Sequence, residues 1–367
     1  MAVKYVRVNP VADLFSPVIR ATGNIAIIGA ASAGTDNVPV QITDPSDAAA
    51  QFGPPGGSSL TSAIQLAFRQ TPGPSQVWGV RSPADITAAL TAVELLDVQF
   101  VVIAGTALDS TTGAANGAIG LLAAHVVAVS NTGADGKERM GVAMLPKGSD
   151  DATVVAGGLA DDRMIYIAHR SDDDAAAAVA GTIAGYAPHV SMLLKQVSID
   201  SDQFSSAQID TINGSETFAG GPAGKGVNWL VDPTLIAGGG TFLGEGYTGN
   251  PGGKKYIDVQ RTIDDCSFKL KARLIRSIGN LRISRSGLRS LVVQMEAVLD
   301  PLVAAGVIEG HRIVVPVLDL LDADPTSLTA AQLQVIQDAQ TDRLVEVLVA
   351  VDYAGAIHRL SITLRFE

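Results

Sequence analysis

The stretch KKYIDVQRTIDDCSFKLKARLIRSIGNLRISRSGLR, residues 254–289, combines an unusual charge with a helical pattern. It holds ten basic and three acidic residues, a local net charge of +7 in a chain whose formal net charge is −11. Ile263, Cys266, Leu270 and Leu274 recur at helical spacing and predict one apolar face. Because Cys266 lies on this face, we interpret it as a buried core thiol and not as a nucleophile.

The basic side chains occupy another face of the same predicted helix, and they continue beyond it. Lys269, Arg273 and Arg276 share one face, and Arg285 and Arg289 stand near the start of a second predicted helix. The second helix has an apolar stripe formed by Leu288, Leu291, Val292, Met295, Val298, Leu299 and Leu302. Two interpretations stay open: a solvated basic face on two amphipathic helices, or a docking surface for an acidic partner.

The composition indicates a globular protein with much of its surface covered. Hydrophobic residues make up 47% of the 367 residues and charged residues 17%, below the roughly 25% charged residues of typical soluble domains. A single cysteine excludes an intrachain disulfide. No signal peptide and no membrane-spanning run is recognisable, so we expect a soluble chain made in a cytosol, without membrane insertion. The net negative charge argues against direct nucleic-acid binding.

Apolar runs alternate with amphipathic stretches along the first half of the chain, which predicts an α/β sheet layer. The predicted strands are Asn24–Ala30, Gln76–Val80, Val98–Ala104, Gly141–Pro146 and Arg163–Ala168. The predicted helices are Asp44–Phe52, Ser58–Arg69, Pro83–Leu96, Gly117–Val129 and Asp174–Tyr186. Residues 214–253 are rich in glycine and predict an irregular connector. The later elements are strand His311–Leu318, helix Thr329–Asp342, and strands Arg343–Val351 and Ala356–Phe366.

Motifs for catalysis are incomplete. Gly29–Gly34 has the spacing of a phosphate-binding loop, but Thr35 and Asp36 stand where lysine and a hydroxyl residue are needed. Ser32 lies in a sequence that lacks the first glycine of a nucleophile elbow. We therefore expect no enzymatic activity and no cofactor. A soluble α/β enzyme, either a hydrolase or a nucleotide-dependent enzyme with an unrecognised site, stays open as the alternative.

Two polar groupings could suggest a metal site. Asp172, Asp173 and Asp174 directly precede a predicted helix, where carboxylates cap free N–H groups, so we interpret them as a helix cap. His169 stands close to Asp172 in sequence, and we expect a surface ion pair there. The five histidines show no metal-ligand spacing, so no metal site is predicted.

Four segments resemble the sheath proteins of contractile phage tails and related contractile injection systems. They are PVQITDPSDAAAQFG (39–53), LTSAIQLAFRQTPGPSQVWGVR (60–81), YIDVQRTIDDCSFKLKARL (256–274) and RLVEVLVAVDYAGAIHRLSITLRFE (343–367). The resemblance implies a subtilisin-like α/β layer plus a C-terminal α+β domain, with extended N- and C-terminal strand-exchanging arms. In residue numbers, it implies an arm at 1–20, a sheath domain at 21–250, a domain facing an inner tube at 251–352, and an arm at 353–367.

The function implied by the resemblance is structural. Subunits of this family form stacked rings, roughly six subunits to a ring, around an inner tail tube. Their contraction drives the tube through the envelope of a target cell. The implied partners are copies of the chain, the inner tube, the baseplate and the tail terminator. The implied location is a virion tail or a contractile injection particle.

Two sets of residues follow from combining this resemblance with the patterns above. For contact with acidic groups on the inner tube, the expected residues are Lys269, Arg273, Arg276, Arg282, Arg285 and Arg289. The two chain ends alternate apolar and polar residues, as strands do. For strand exchange between subunits, the expected residues are Val3, Tyr5, Val6, Val8, Ile357, Leu360, Ile362, Leu364 and Phe366.

Overall fold

The structure is a computed structural model that describes residues 21–57, 59–83, 86–132, 136–215, 224–250 and 256–358. Its strands are β1 (Ile25–Gly29), β2 (Pro39–Ile42), β3 (Val77–Arg81), β4 (Phe100–Ala107), β5 (Met140–Met144), β6 (Met164–Ala168), β7 (Val227–Val231), β8 (Phe242–Leu243), β9 (Ile308–Val314) and β10 (Leu348–Tyr353). Its helices are α1 (Asp47–Phe52), α2 (Leu60–Phe68), α3 (Ile86–Glu94), α4 (Ala118–Ser130), α5 (Ala175–Gly185), α6 (Ser206–Asn213), α7 (Ile257–Leu274), α8 (Arg285–Ala304), α9 (Pro316–Asp322) and α10 (Ala330–Asp342). None of these helices is long and apolar enough to cross a membrane.

The chain divides into two compact units. The first, which we name the sheet unit, contains residues 22–267, 305–310 and those from 351 onward. The second, which we name the helical unit, contains residues 268–304 and 311–350. The boundaries fall inside α7, β9 and β10. Strands β9 and β10 pair as a separate two-stranded sheet.

The sheet unit is built on a mostly parallel sheet. Among the described residues, eight strands pair in the order β2-β3-β1-β4-β5-β6-β7-β8. The strands from β3 to β7 run parallel to one another. The two outer strands, β2 and β8, are antiparallel to their neighbours. This architecture confirms the predicted α/β class.

Helices cover both faces of the sheet, which explains the uninterrupted apolar runs of its strands. Successive residues of β1 alternate between the two cores: Ile25 and Ile27 pack with α1, α2 and α5, and Ala26 and Ile28 pack with α3 and α4. All five residues of β1 are buried, as are all five of β5 and of β6. A strand buried on both sides cannot show an apolar–polar alternation.

Helix α5 is the most enclosed helix of the sheet unit. Its residues from Ala175 to Ala184 are all buried. Small side chains let α2 approach closely, since a Cβ added at Gly181 would lie 2.5 Å from the carbonyl oxygen of Ala67. The side chain of Asp174 begins the helix by accepting a hydrogen bond from the Ala177 N–H at 2.9 Å. The predicted helix cap is therefore confirmed at Asp174.

One end of the large sheet is covered by irregular chain. Strand β8 pairs with β7 on one side, and the segment 194–197 hydrogen-bonds to its other side. The Leu194 N–H donates to Leu243 O at 2.8 Å, and the Leu243 N–H donates to Lys195 O at 2.9 Å. The Val197 N–H adds a bond to Thr241 O at 2.8 Å. The backbone of β8 is thus bonded on both sides.

The helical unit has its own small core. Leu288, Val315, Val317 and Ala339, from α8, the start of α9 and α10, are buried together. The predicted stripe of α8 is confirmed, with Leu288, Met295, Leu299 and Leu302 buried. Helix α10 begins with a capping box, in which Thr329 and Gln332 each bind the other's backbone N–H.

Four predictions about elements are wrong in part. The strand predicted for Arg343–Val351 begins only at Leu348, the first residue of β10. The strand predicted for His311–Leu318 ends at Val314, and α9 begins at Pro316. Proline favours the first position of a helix because its φ is already helical and its missing N–H is not needed there. The glycine-rich stretch 214–253 contains β7 and β8 rather than only an irregular connector. Residues 356–358 of the last predicted strand are not in a strand, and its remaining residues lie outside the described ranges.

Candidate functional site

The sheet unit has the topology in which open α/β enzymes place a ligand. After β1 and the outer strand β2, the chain passes through α1 and α2 on one face of the sheet and enters β3. It then passes through α3 on the other face and enters β4, so β3 and β4 lie on opposite sides of β1. The carboxyl ends of β1 and β4 therefore form a switch point, where such folds bind substrates.

A cavity of 460 Å³ lies beside the switch point, lined among others by Ser59, Arg69, Gly105 and Asp174. Its polar groups are bound to one another or to helix ends. Ser59 caps α2 by accepting a bond from the Ser62 N–H at 3.2 Å. Arg69 pairs with Asp173 at 3.1 Å, and Asp174 accepts a second bond from the Gly105 N–H at 2.7 Å. Burial raises the pKa of Asp174, and the hydrogen bonds that its carboxylate accepts from the Ala177 and Gly105 N–H groups oppose the rise.

Neither the segment Gly29–Gly34 nor the sequence around Ser32 has the structural context that nucleotide binding or nucleophilic catalysis requires. Both motifs need a strand, a turn and then a helix. Ser32 is exposed in the loop after β1, and this loop leads into strand β2 at Pro39. Within the described ranges, no group of three or more His, Cys, Asp or Glu side chains could hold a metal ion.

The predicted ion pair between His169 and Asp172 is wrong. His169 is buried, and its Nε2 lies 3.0 Å from Leu145 O. Burial lowers the pKa of His169, an effect that its bonds to the Leu145 and Ser171 backbone oppose. Asp172 instead pairs with the exposed Lys147 at 2.5 Å. Sequence proximity misled here because β6 carries His169 into the core.

A partly buried Ser–His–Glu relay, which sequence patterns did not reveal, lies elsewhere in the sheet unit. His358 Nε2 lies 2.8 Å from Ser191 Oγ, and His358 Nδ1 lies 3.0 Å from a carboxylate oxygen of Glu245. A hydroxyl, an imidazole and a carboxylate joined in this order are the groups by which a base activates a nucleophile. However, the same Ser191 oxygen accepts a bond from the Leu193 N–H at 3.3 Å, which closes a local turn. The relay joins three separate parts of the chain, so no local motif could have indicated it.

The first turns of α7 bury polar residues, and the predicted apolar face is wrong at its start. Ile263 is 41% exposed. Asp258, Gln260, Arg261 and Thr262 are buried instead. Arg261 binds backbone carbonyls, Asp258 binds a tyrosine hydroxyl and Gln260 binds the Asp264 carboxylate, so this part of the helix does not face a purely apolar core. Cys266 is buried, as predicted.

The predicted basic surface lies mainly in the helical unit, at the end of α7 and in the connection to α8. Lys269 and Arg273 are half-buried, and Arg276 and Arg282 are exposed. Sequence reasoning missed two isoleucines beside them: Ile275 is 65% exposed and Ile278 75% exposed. The connection 275–282 thus presents apolar and basic side chains together.

The remaining two arginines of this set also bind within the helical unit. Arg289 Nη2 lies 3.0 Å from Asp322 Oδ1, and Arg285 Nε lies 3.8 Å from the same oxygen. Arg285 also donates to the carbonyl oxygen of Leu321. Both cations therefore stand at the carboxyl end of α9, where the helix dipole favours positive charge.

The residues expected for strand exchange lie largely outside the described ranges. Val3, Tyr5, Val6, Val8, Leu360, Ile362, Leu364 and Phe366 are in that group. Ile357 is described, is 81% exposed and is not part of a strand.

Comparison with known proteins gives matches only among solved structures. No protein-family model matches the chain, and no curated protein matches it. The sheath of an extracellular contractile injection system, PVC, in its contracted state matches with a TM-score of 0.70 at 12% identity, over 100% of this chain and 97% of that chain. The helical sheath of the anti-feeding prophage (AFP) in its contracted state matches with a TM-score of 0.64 at 15% identity, over 100% of this chain and 99% of that chain.

A third neighbour is a crystal structure of a sheath tail protein. The sheath tail protein from Desulfitobacterium hafniense matches with a TM-score of 0.58 at 12% identity, over 85% of this chain and 92% of that chain. At these identities the likeness concerns the fold: the chain has the fold of contractile sheath proteins.

Proposed function

We propose that this chain is the structural subunit of a contractile sheath. The observation that carries the proposal is the likeness to sheath subunits over 100% of this chain and 97% or more of theirs. A likeness of that extent includes both units. The enzyme alternative lacks support, because the polar groups at the sheet's switch point serve helix caps and ion pairs.

The small sheet of β9 and β10 supports assembly by strand exchange. Within the described part of the chain each of the two strands has one neighbour, and a two-stranded sheet alone is only marginally stable in water. Leu348 and Val351 of β10 are exposed. We propose that arms 1–20 and 353–367 of neighbouring subunits complete this sheet, since added strands supply backbone hydrogen bonds.

The connection 275–282 supports a contact with an inner tube. An inner tube must be held and then released when the sheath contracts. Exposed ion pairs suit this because each contributes only roughly 0–1 kcal/mol and is reversible. We propose that Arg276 and Arg282 contact acidic groups of the tube, together with Lys269 and Arg273. Arg285 and Arg289 then support the surface by fixing α9.

The remaining features of the proposal follow from the family resemblance. The sheath domain of residues 21–250 would be subtilisin-like, and residues 251–352 would face the tube. Rings of roughly six subunits would stack between a baseplate and a tail terminator, in a virion tail or an injection particle. The chain would act without a cofactor and without binding nucleic acid directly.

Electron microscopy of the purified full chain tests the proposal. We expect long tubes with a helical lattice. A variant lacking residues 1–15 should stay folded, by circular dichroism, but should not form tubes, because one strand of each exchanged sheet is missing.

Comparison of the full chain with this truncated variant distinguishes a failure of the sheath proposal from a failure of strand exchange through the N-terminal arm. A full chain that stays monomeric at high concentration, alone and with an inner tube, contradicts the sheath proposal. Normal tubes from the truncated chain contradict strand exchange through the N-terminal arm only.

A further inference from the structure

Thr22, Tyr353 and His358, which stand near the two limits of the described chain, bind one cluster of polar side chains in the sheet unit. The cluster has two walls: the segment Tyr186–Ser191, and the first two turns of α7 with the preceding Tyr256. We name it the terminal clamp. Residue Thr22, where the N-terminal segment begins, and residues 353–358, where the C-terminal segment begins, both bind to it.

Arg261 holds the N-terminal side of the clamp. This buried guanidinium donates to Tyr186 O at 2.8 Å, to Thr22 O at 3.2 Å and to Ala187 O at 3.4 Å. Burial lowers the pKa of Arg261 to about 10, and Asp265, Asp258 and Asp264 oppose this fall. Arg261 therefore stays charged at neutral pH, and its bonds to carbonyls are of the strong, charge-assisted kind.

The chain next to Thr22 is fixed by close packing as well. A Cβ added at Gly23 would lie 2.0 Å from the carbonyl oxygen of Ala184, near the end of α5. Asn24 is buried, and its side chain donates to Asp97 O at 3.0 Å. Residues 22–24 are therefore held against the sheet unit by close packing and hydrogen bonds.

Tyr353 and His358 hold the C-terminal side. The Tyr353 hydroxyl binds the Asp258 carboxylate at 2.5 Å. His358 binds Ser191 and Glu245 through its two ring nitrogens, and the ring of Tyr256 lies edge-on at 4.8 Å between centroids. Burial, followed by the bond to Asp258, raises the pKa of Tyr353, so its hydroxyl keeps its proton for that bond.

We propose that the terminal clamp is a mechanical anchor that fixes where both terminal segments leave the sheet unit. The proposal rests on the proposed function, in which those segments join neighbouring subunits. A pull on either segment then reaches the sheet unit through α7 and the segment Tyr186–Ser191. Directional hydrogen bonds suit an anchor because they resist sliding, whereas apolar contacts allow it.

Hydrogen exchange of the full chain tests the anchor before any assembly takes place. In the double variant Tyr353→Phe/His358→Gln we expect amide exchange in residues 353–358 to become at least roughly tenfold faster, because charge-assisted hydrogen bonds are lost. Exchange in β1, β4 and β5 should stay unchanged. The matched control is His311→Gln, which removes a histidine–carboxylate pair with Asp300 outside the clamp and should leave residues 353–358 unaffected.

Tube formation gives the second readout. We expect the double variant to form fewer and shorter tubes than the wild-type chain, and His311→Gln to form normal ones. Unchanged exchange at residues 353–358 in the double variant overturns the anchor. Faster exchange together with normal assembly and contraction would show that the clamp does not transmit force from the terminal segments, which overturns its mechanical role. If the wild-type chain forms no tubes, the proposed function fails, and the exchange result still decides whether the clamp holds the segment.

Discussion

At the scale of single residues, the sheet unit depends on a fully buried arginine. Arg139 donates to Val93 O and Leu96 O at 2.9 Å each, and to Glu94 O at 3.3 Å. These carbonyls lie at and beyond the carboxyl end of α3, which favours a cation. His125 lies beside it, with Nε2 3.4 Å from an Arg139 nitrogen.

This environment makes His125 a source of acid sensitivity. Burial, and then the charge of Arg139, lower the pKa of His125 to about 4 from an ordinary 6.5. Between these values the unfolded chain binds a proton that the folded chain does not, so stability is lost as the pH falls from 6.5 towards 4. From pH 8 to pH 5 this group alone should cost about 2 kcal/mol.

A His125→Gln variant tests this cost, since glutamine cannot titrate. Urea unfolding at pH 8 and at pH 5 should show a smaller loss of stability on acidification in the variant than in the wild-type chain. An equal loss in both proteins would show that His125 is not a source of the sensitivity.

Buried polar residues were the part of the molecule that sequence patterns could not predict. Three of the carbonyls that Arg139 binds lie more than 40 positions away, and those that Arg261 binds lie in two different segments. Asn228 is buried in β7, where it binds Tyr166 O and both backbone groups of Tyr247. From sequence alone, a charged or amide residue is predicted to be exposed, because the distant carbonyls that accept its hydrogen bonds are not known.

At the scale of helices and strands, the predictions succeeded where long apolar runs end at glycine, proline or an acidic residue. Strands β1 and β3 to β6, and helices α2 to α5 and α10, were predicted within a few residues. Helix α6 and strands β7 and β8 were missed because they are short and lie in serine- and glycine-rich sequence. Helix α9 was missed because Val314 and Val315 continue the strand pattern up to Pro316.

The cap of α5 gives a prediction at this scale. Asp174→Ala removes the acceptor for the Ala177 and Gly105 N–H groups, which should cost about 1–2 kcal/mol of unfolding free energy. Asp174→Asn keeps an acceptor and removes a charge whose burial is unfavourable, so it should cost clearly less. Urea denaturation of the three proteins measures this order, and an alanine variant as stable as the asparagine variant would contradict it.

At the scale of the whole molecule, the charge pattern predicts a partner surface, but the sequence could not show which of its basic residues form ion pairs within the chain. Arg289 forms an ion pair with Asp322, which lies 33 positions away along the chain. Helical spacing cannot indicate such a pairing. Arg276 and Arg282 remain exposed, with Ile275 and Ile278 beside them.

Charge reversal tests this surface. Arg276→Glu/Arg282→Glu should weaken association with an inner tube by roughly tenfold or more, because two exposed attractions become repulsions. The remaining association should also depend differently on salt. Co-sedimentation with preformed inner tubes measures the effect, and Lys225→Glu, at an exposed position of the sheet unit, is the matched control. Equal binding by the reversed variant and the control would exclude this surface as the tube contact.

The covered strand β8 has a consequence for how such a chain behaves when it is abundant. The proposed assembly by added strands carries the risk that a strand is added in the wrong place, and an open edge of the largest sheet is such a place. The segment 194–197 occupies the backbone of β8 with bonds of the same chain. A strand from another molecule therefore cannot pair with β8 itself, which lowers the risk of aggregation at that end of the large sheet.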